Sequence, residues 1–401
     1  MSSRWRLTTL GELEHESNGV IQTGPFGSQL HASDYSAVGT PVVMPTNIRE
    51  LRISTDGIAR VSSEHVERLA RHKLMPGDIV YSRRGDVEKC ALVTEVENGW
   101  LCGTGCLLVR VGGPTVDARC LAYALSLPAT RNWITRHAVG ATMPNLNTGV
   151  LREVPVYLPP VAEQRSIAST LGALDDKIEC NKRQRGLLRK LGAARFAGAL
   201  ADGGLERPLH SVTTSIARGV SPKYADDETL APLALNQRCI RDGWVSLAPA
   251  RRVQDRAVAP ARKASSGDIL VNSTGVGTLG RVARWHEGSI FVDSHVSVIK
   301  PDVAEVGPTV LAYAMLGRVP DIEALGEGST GQTELSPTRL GEFKVLLPDA
   351  AKMSVLEDEL FAIERRAEHL ATENGYLASV RDVLLPELLS GRIRVPIEEV
   401  S

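Results

Sequence analysis

The chain has 401 residues, 43% of them hydrophobic and 23% charged, and a formal net charge of −1. That length favours two or more domains with separate cores, and near-neutrality argues against a simple polyanion binder. No apolar run approaches the ~18 residues of a membrane span, and the N-terminus MSSRWRLTTLGELEHE lacks an apolar signal core. Both point to a cytoplasmic protein with no membrane partner. The cysteines (Cys90, Cys102, Cys106, Cys120, Cys180, Cys239) lack zinc-type spacing and read as buried reduced thiols.

In chain order, residues 1–160 hold short β-like runs, PVVM (41–44), GDIVYS (77–82), ALVTEV (91–96) and CLLVRV (106–111), separated by Gly, Pro, Asn and Asp. A short helix is expected around 117–137. From 161 the period changes. Ile167, Leu171, Leu174, Ile178, Leu188 and Leu191 follow a 4-3-4 helical spacing of coiled-coil type, with Asn181 and Arg185 on the same seam, up to a stop before Asp202-Gly203-Gly204. Residues 205–348 return to the mixed pattern, with strand candidates GDILVNS (267–273) and HVSVIK (295–300). Over 352–385 the helical seam recurs as Leu356, Leu360, Ile363, Ala367, Leu370, Leu377 and Leu384, with Pro386 expected to break or kink it.

The chain therefore repeats itself. Shifted by 189, Ile167 falls on Leu356, Leu171 on Leu360, Leu174 on Ile363 and Leu188 on Leu377; at 190, PGDIVYSRRG (76–85) meets SGDILVNSTG (266–275). The segments read as 1–160, 161–204, 205–348 and 349–401. Residues 161–200 carry net +4 and 349–401 net −5, so an antiparallel pairing of the two helices is favoured in register and partner choice. The fold class expected is α+β: two pseudo-repeated mixed α/β domains joined by two long antiparallel coiled-coil helices.

Catalytic patterns are scarce. GVGTLG (275–280) fits GxGxxG, but RVARW (281–285) after it reads as β where a dinucleotide fold needs a helix, so a tight turn is the better reading. Asp293-Ser294-His295, read as strand neighbours, would point to alternate faces and form no triad. No GxSxG, GxxxxGK[ST] or HExxH occurs, and no metal or catalytic residues are assigned. What remains suits recognition. TGPFGSQL (23–30) gathers an aromatic, two glycines and small polar side chains, and Ser82-Arg83-Arg84 sits at a strand end, where guanidiniums meet phosphates or guanine edges. Its counterpart Asn272-Ser273-Thr274 is neutral. GATMPNLN (140–147) and GSTGQT (328–333) offer the Asn and Gln side chains that read adenine, or that cap loops.

TGPFGSQL, GDIVYSRRG (77–85), the junction LPPVAEQRSIASTLGALDDKIECNKR (158–183) and the closing RDVLLPELLSGRI (381–393) resemble the specificity subunits of Type I restriction–modification enzymes. With the duplication, the likeness covers nearly the whole chain, although the second junction departs from the first, reading LPDAAKMSVLEDEL. The resemblance implies two target recognition domains (1–160 and 205–348), each reading half of a split double-stranded DNA site, and two spacer helices that set the gap. It implies a noncatalytic chain that binds no cofactor. Two modification subunits with S-adenosylmethionine would methylate adenine, and restriction subunits, where present, would use ATP and magnesium. Expected DNA contacts are Gln22, Thr23, Phe26, Ser28, Gln29, Ser82, Arg83, Arg84, Thr142, Asn145 and Asn147 in the first domain. In the second they are Arg218, Lys223, Tyr224, Asn272, Ser273, Thr274, Ser329, Thr330 and Gln332. Rival readings are the specificity subunit of an orphan adenine methyltransferase, a protein-binding assembly scaffold, and an enzyme built on the GVGTLG turn.

Overall fold

The computed structural model describes residues 5–140, 144–201, 203–225, 230–328 and 333–396. Two compact units emerge, 1–180 with 373–401, and 181–372. Each takes one globular head and a share of both long helices, so the units divide inside the helices, whereas the sequence reading draws its segments at their ends.

In the first unit the central antiparallel sheet runs Val20–Thr23, Cys106–Arg110, Ile79–Ser82, Cys90–Leu92. The strands Cys106–Arg110, Ile79–Ser82 and Cys90–Leu92 are almost wholly buried because both faces are covered, while the edge strand Val20–Thr23 leaves Val20 exposed. Side chains alternate with the two-residue period of a strand. Ile79, Tyr81, Leu107 and Val109 join a core with the helix Ala118–Ser126. Val80, Cys106 and Leu108 face the other way, into a cluster with Val43 and Cys102 from a second sheet. The second unit repeats this with Thr213–Arg218, Val296–Pro301, Ile269–Asn272 and Val282–Arg284. Here Ile269 and Val271 face the helix Pro308–Leu316, while Leu270, Val296 and Val298 face the second sheet.

A two-stranded antiparallel ribbon closes each head: Arg6–Thr9 with Pro155–Leu158, and Leu205–Pro208 with Lys344–Leu347. The later strand of each ribbon runs directly into a long helix, Val161–Ala199 or Ala350–Leu389. In the first unit Lys177 pairs with Glu373, Asn374 donates to the Ile178 carbonyl, and Arg381 pairs with Asp175 at 2.8 Å. In the second, Arg189 meets Glu364 and Arg195 meets Glu359. One helix advances as the other recedes, so the pairing is antiparallel, and three of these four ion pairs put the cation on the first helix.

Several details differ from expectation. The 117–137 helix is two, Ala118–Ser126 and Pro128–His137, because Pro128 forces Leu127 out of helical geometry. The strand expected over 91–96 stops at Leu92, and Glu95–Glu97 turns as a 3-10 helix capped by Thr94. Pro386 neither breaks nor ends its helix, which continues to Leu389, and the Pro386 carbonyl still accepts from the Ser390 amide.

The seam also has more than one job. Ile167 and Leu171 pack into the first head's core, and Leu356 and Leu360 into the second's, with Ile363 partly buried beside them. Ile178 and Leu370 are buried on the helices, Leu174, Leu188 and Leu377 are half-buried, and Leu191 is exposed. Five cysteines are buried, and burial pushes the Cys90 and Cys102 thiols up to about 12; Cys180 is exposed. No helix among the described residues is long and apolar enough to cross a membrane.

Candidate nucleic-acid interface

In the first unit three candidate segments meet. The strand Val20–Thr23 ends in the loop 24–30. A Cβ on Gly24 would run into the Gly103 carbonyl, so this glycine serves internal close approach, whereas Gly27 faces open space. The loop is stapled by Gln29, whose Oε1 accepts from the Phe26 amide at 3.1 Å. Gln22 donates to the Arg71 carbonyl at 2.7 Å, while Thr23 is half-buried and Ser28 exposed. Phe26 is exposed, and the Arg83 guanidinium lies 5.7 Å from its ring centroid. The backbone of Arg84 pairs with that of Asn145, and the Arg83 carbonyl accepts from the Leu146 amide at 2.9 Å. Loop 24–30, Arg83–Arg84 and Asn145 therefore lie together, over the buried Ser82 and Leu146. Among the described residues neither Arg83 nor Arg84 forms an ion pair, so both can address an anion.

Two expected readers are spent internally. Ser82 is buried and its hydroxyl donates to the Arg84 carbonyl at 2.9 Å, shaping the turn. Asn147 caps the helix Thr148–Arg152, its Oδ1 accepting from the Val150 amide at 2.9 Å. Thr142 lies outside the described residues.

The second unit builds the same frame with other side chains. Thr274 pairs with Glu334 as Arg84 does with Asn145, and the Ser273 carbonyl accepts from Leu335 as Arg83 does from Leu146. Ser336 caps its helix as Asn147 does. Here the turn faces inward. Asn272 is buried and donates to the Gln237 carbonyl, Ser273 is buried against Ser297, and Thr274 bonds His295 Nδ1 at 2.8 Å. Arg218 is engaged by Glu334 and by the Ser273 and Leu335 carbonyls; burial holds its pKa below the usual arginine value. Lys223 and Tyr224 stay exposed. Ser329, Thr330 and Gln332 lie outside the described residues. Gln237, which the sequence does not single out, and His295, weighed there only as a triad member, join the Thr274 turn because strand pairing brings distant loops together. Asp293-Ser294-His295 forms a turn before the strand Val296–Pro301 rather than part of a strand, with Asp293 accepting from the Ser294 hydroxyl and the His295 amide.

Polar networks fix each head on the helices, and the sequence reading did not find them. In the first unit Asp176 binds Arg119 at 3.0 Å and Arg52 at 3.1 Å, and Asp175 accepts from Tyr123 and Arg381. Burial pulls the Asp176 carboxyl upward, but the two guanidiniums outweigh it and leave its pKa below the usual range. In the second unit the buried Glu364 is shared by Arg284 at 3.3 Å, Arg189 at 3.4 Å and His286 at 3.4 Å. The junction glutamine, Gln164, is buried, donates to the Thr115 and Pro159 carbonyls and accepts from the Asp117 amide at 2.8 Å, which holds the start of the helix Ala118–Ser126. In the second copy Met353 stands at that register. Glu357, one turn further on, takes over, accepting from the Thr309 and Val310 amides at the head of Pro308–Leu316.

Comparison with known proteins shows what the chain is similar to. Residues 51–188 match the family described as the Type I restriction modification DNA specificity domain. The type I restriction enzyme MjaX specificity subunit of Methanocaldococcus jannaschii is 27% identical over 186 residues, 43% of this chain and 42% of that protein, so the match spans less than half of that relative. The Type I restriction–modification S subunit of M. genitalium shares the fold over 96% of both chains, with a TM-score of 0.61 and 18% identity.

Proposed function

We propose that this chain is the noncatalytic, sequence-specific DNA-binding specificity subunit of a Type I restriction–modification complex, each head reading one half of a bipartite site. One observation carries this reading. Two copies of the same turn frame, Arg84 with Asn145 and Thr274 with Glu334, present different side chains on a common scaffold. A duplicated frame with divergent loops suits one site with two unlike halves.

Partner docking belongs to the same reading. On the first helix Leu187 and Leu191, four residues apart, are exposed, and 189 positions later Tyr376 and Val380 are exposed on the second. Two matching apolar pairs, each on one helix face, suit two copies of one partner, the modification subunits. S-adenosylmethionine, ATP and magnesium would belong to the modification and restriction subunits. The complex would work in the cytoplasm, where its DNA is.

Methylation-sensitive sequencing of the host genome tests this. A split motif with methyl-adenine on both strands is expected, and exchange of residues 1–160 for those of another specificity subunit should change one half of the motif alone. An unchanged motif after that exchange would sink the proposal.

A further inference from the structure

The near-neutrality of the second head hides a separation of charge. Residues 251–263 carry five basic side chains, Arg251, Arg252, Arg256, Arg262 and Lys263, against one acid, Asp255. The rest of 201–348 carries eleven basic and sixteen acidic side chains, so the strip is the positive feature of an otherwise acidic segment. The strip starts and finishes on opposite edge strands of one sheet, Arg251–Arg252 beside Leu233–Leu235 and Lys263–Ala264 beside Ile290–Val292.

Its cations are tied to the candidate reading loop. The Arg251 guanidinium lies 3.5 Å from the Tyr224 ring centroid, the Gln254 amide donates to the Lys223 carbonyl, Arg256 donates to the Ser221 carbonyl, and Arg262 to the Arg218 carbonyl at 2.8 Å. Arg251, Arg252 and Arg262 are exposed, and a concavity of about 390 Å³ opens between Val220–Ser221 and Arg256–Arg262. Carbonyl acceptors engage the guanidiniums of Arg252, Arg256 and Arg262 without neutralising them.

We infer that residues 251–263 grip the phosphate backbone of duplex DNA beside loop 218–224. The inference rests on the DNA-recognition reading proposed above and adds a division of labour. The strip supplies affinity without sequence information, while the neutral turn at 272–274 contributes little charge. In the first head the matching stretch 61–73 sets Arg68, Arg71 and Lys73 against Glu64 and Glu67, and two further cations, Arg83 and Arg84, stand in the turn itself. The two heads thus place their positive charge in different parts of the same frame.

The test titrates the chain, assembled with its modification subunits, against a duplex bearing the host's methylated motif and a scrambled duplex, over a range of salt. The variant R251A/R252A/R262A should weaken both duplexes by the same factor, about tenfold or more. It should also make the slope of log K against log salt shallower by about 2–3, at roughly 0.9 per phosphate contact. The variant R251K/R252K/R262K should restore the slope. Unchanged affinity and slope in the alanine variant, with normal wild-type binding of the target, would overturn the inference and leave the DNA-recognition reading standing. Loss on the target duplex alone would also overturn it, since that is base readout. If the wild-type complex binds neither duplex, the reading and the inference fall together.

Discussion

The two heads share their sheet order and even a tyrosine at the same place, Tyr123 and Tyr313, yet they attach to the helices by different chemistry. In the first unit the anchor is a pair of acids on the first helix, Asp175 and the half-exposed Asp176, met by arginines from three directions. In the second it centres on a buried acid on the other helix, Glu364, shared by Arg189, Arg284 and His286, with Glu368 meeting His286 at 2.8 Å. Apolar packing is non-directional and tolerates drift in sequence, so a duplicated core keeps its layout. A polar network must satisfy every buried member, so when one partner changes, the attachment has to be built again elsewhere. The move of the cap from Gln164 to Glu357 is the same event on a smaller scale.

The sharpest way to break this comparison is to remove the buried acid. Glu364→Ala leaves Arg284 and Arg189 without their counter-ion inside the second unit. Removing one partner of a buried ion pair costs about 3–5 kcal/mol. Hydrogen exchange should show protection falling in 181–372 with little change in 1–180. An equal fall in both units would show that the anchor is not local to the second. Next in size is the loss of recognition. Replacing Arg83 and Arg84 by Ala should relax the motif in one half only, at about 1–3 kcal/mol for each guanidinium that reads a base. Methylome sequencing checks this, and relaxation of both halves would contradict one head per half-site.

Much of the scaffold is legible locally. GDIVYS and GDILVNS read as buried strands because an unbroken apolar run between turn signals has few other uses, and the +4 and −5 helices foretell which carries the cations. The candidate sites are less legible, because whether a polar side chain is free depends on residues far away in sequence. Arg218 looks available until Glu334 and Leu335 return beside it, and Ser82 until its own turn folds over it. Asn147 could read a base or cap a helix, and only the helix Thr148–Arg152 decides. Asp175 and Asp176 stand in the junction motif, but their partners Arg52, Arg119 and Arg381 are unpredictable from spacing.

The cap residues give a third, smaller test. Gln164→Ala should cost about 1–3 kcal/mol, because a buried amide donor and acceptor set loses its partners. Glu357→Ala should cost a similar amount in the other unit. Adding Ala168→Glu to Gln164→Ala copies the second solution into the first head, yet it should lower stability further, since Ala168 is buried in that core. Thermal unfolding of the three variants checks the order, and rescue by the double variant would show the two caps to be interchangeable.

The smallest effect expected is at Asp176, and its sign follows from the ion pairs. Its folded pKa lies below the ordinary 3.8 because Arg119 and Arg52 outweigh the cost of burial. A carboxylate depressed in the folded state adds stability above its unfolded pKa and loses it as pH falls through the folded value. Asp176→Asn should therefore be less stable than the wild type at neutral pH, by under about 1 kcal/mol for a site this exposed, and the two should converge below the ordinary Asp value. High salt should narrow the gap at neutral pH as well. Melting curves of the two proteins across pH and salt measure this. A gap that persists in acid would mean that Asp176 acts through packing, and the contrast between an electrostatic anchor in the first unit and a buried one in the second would fail.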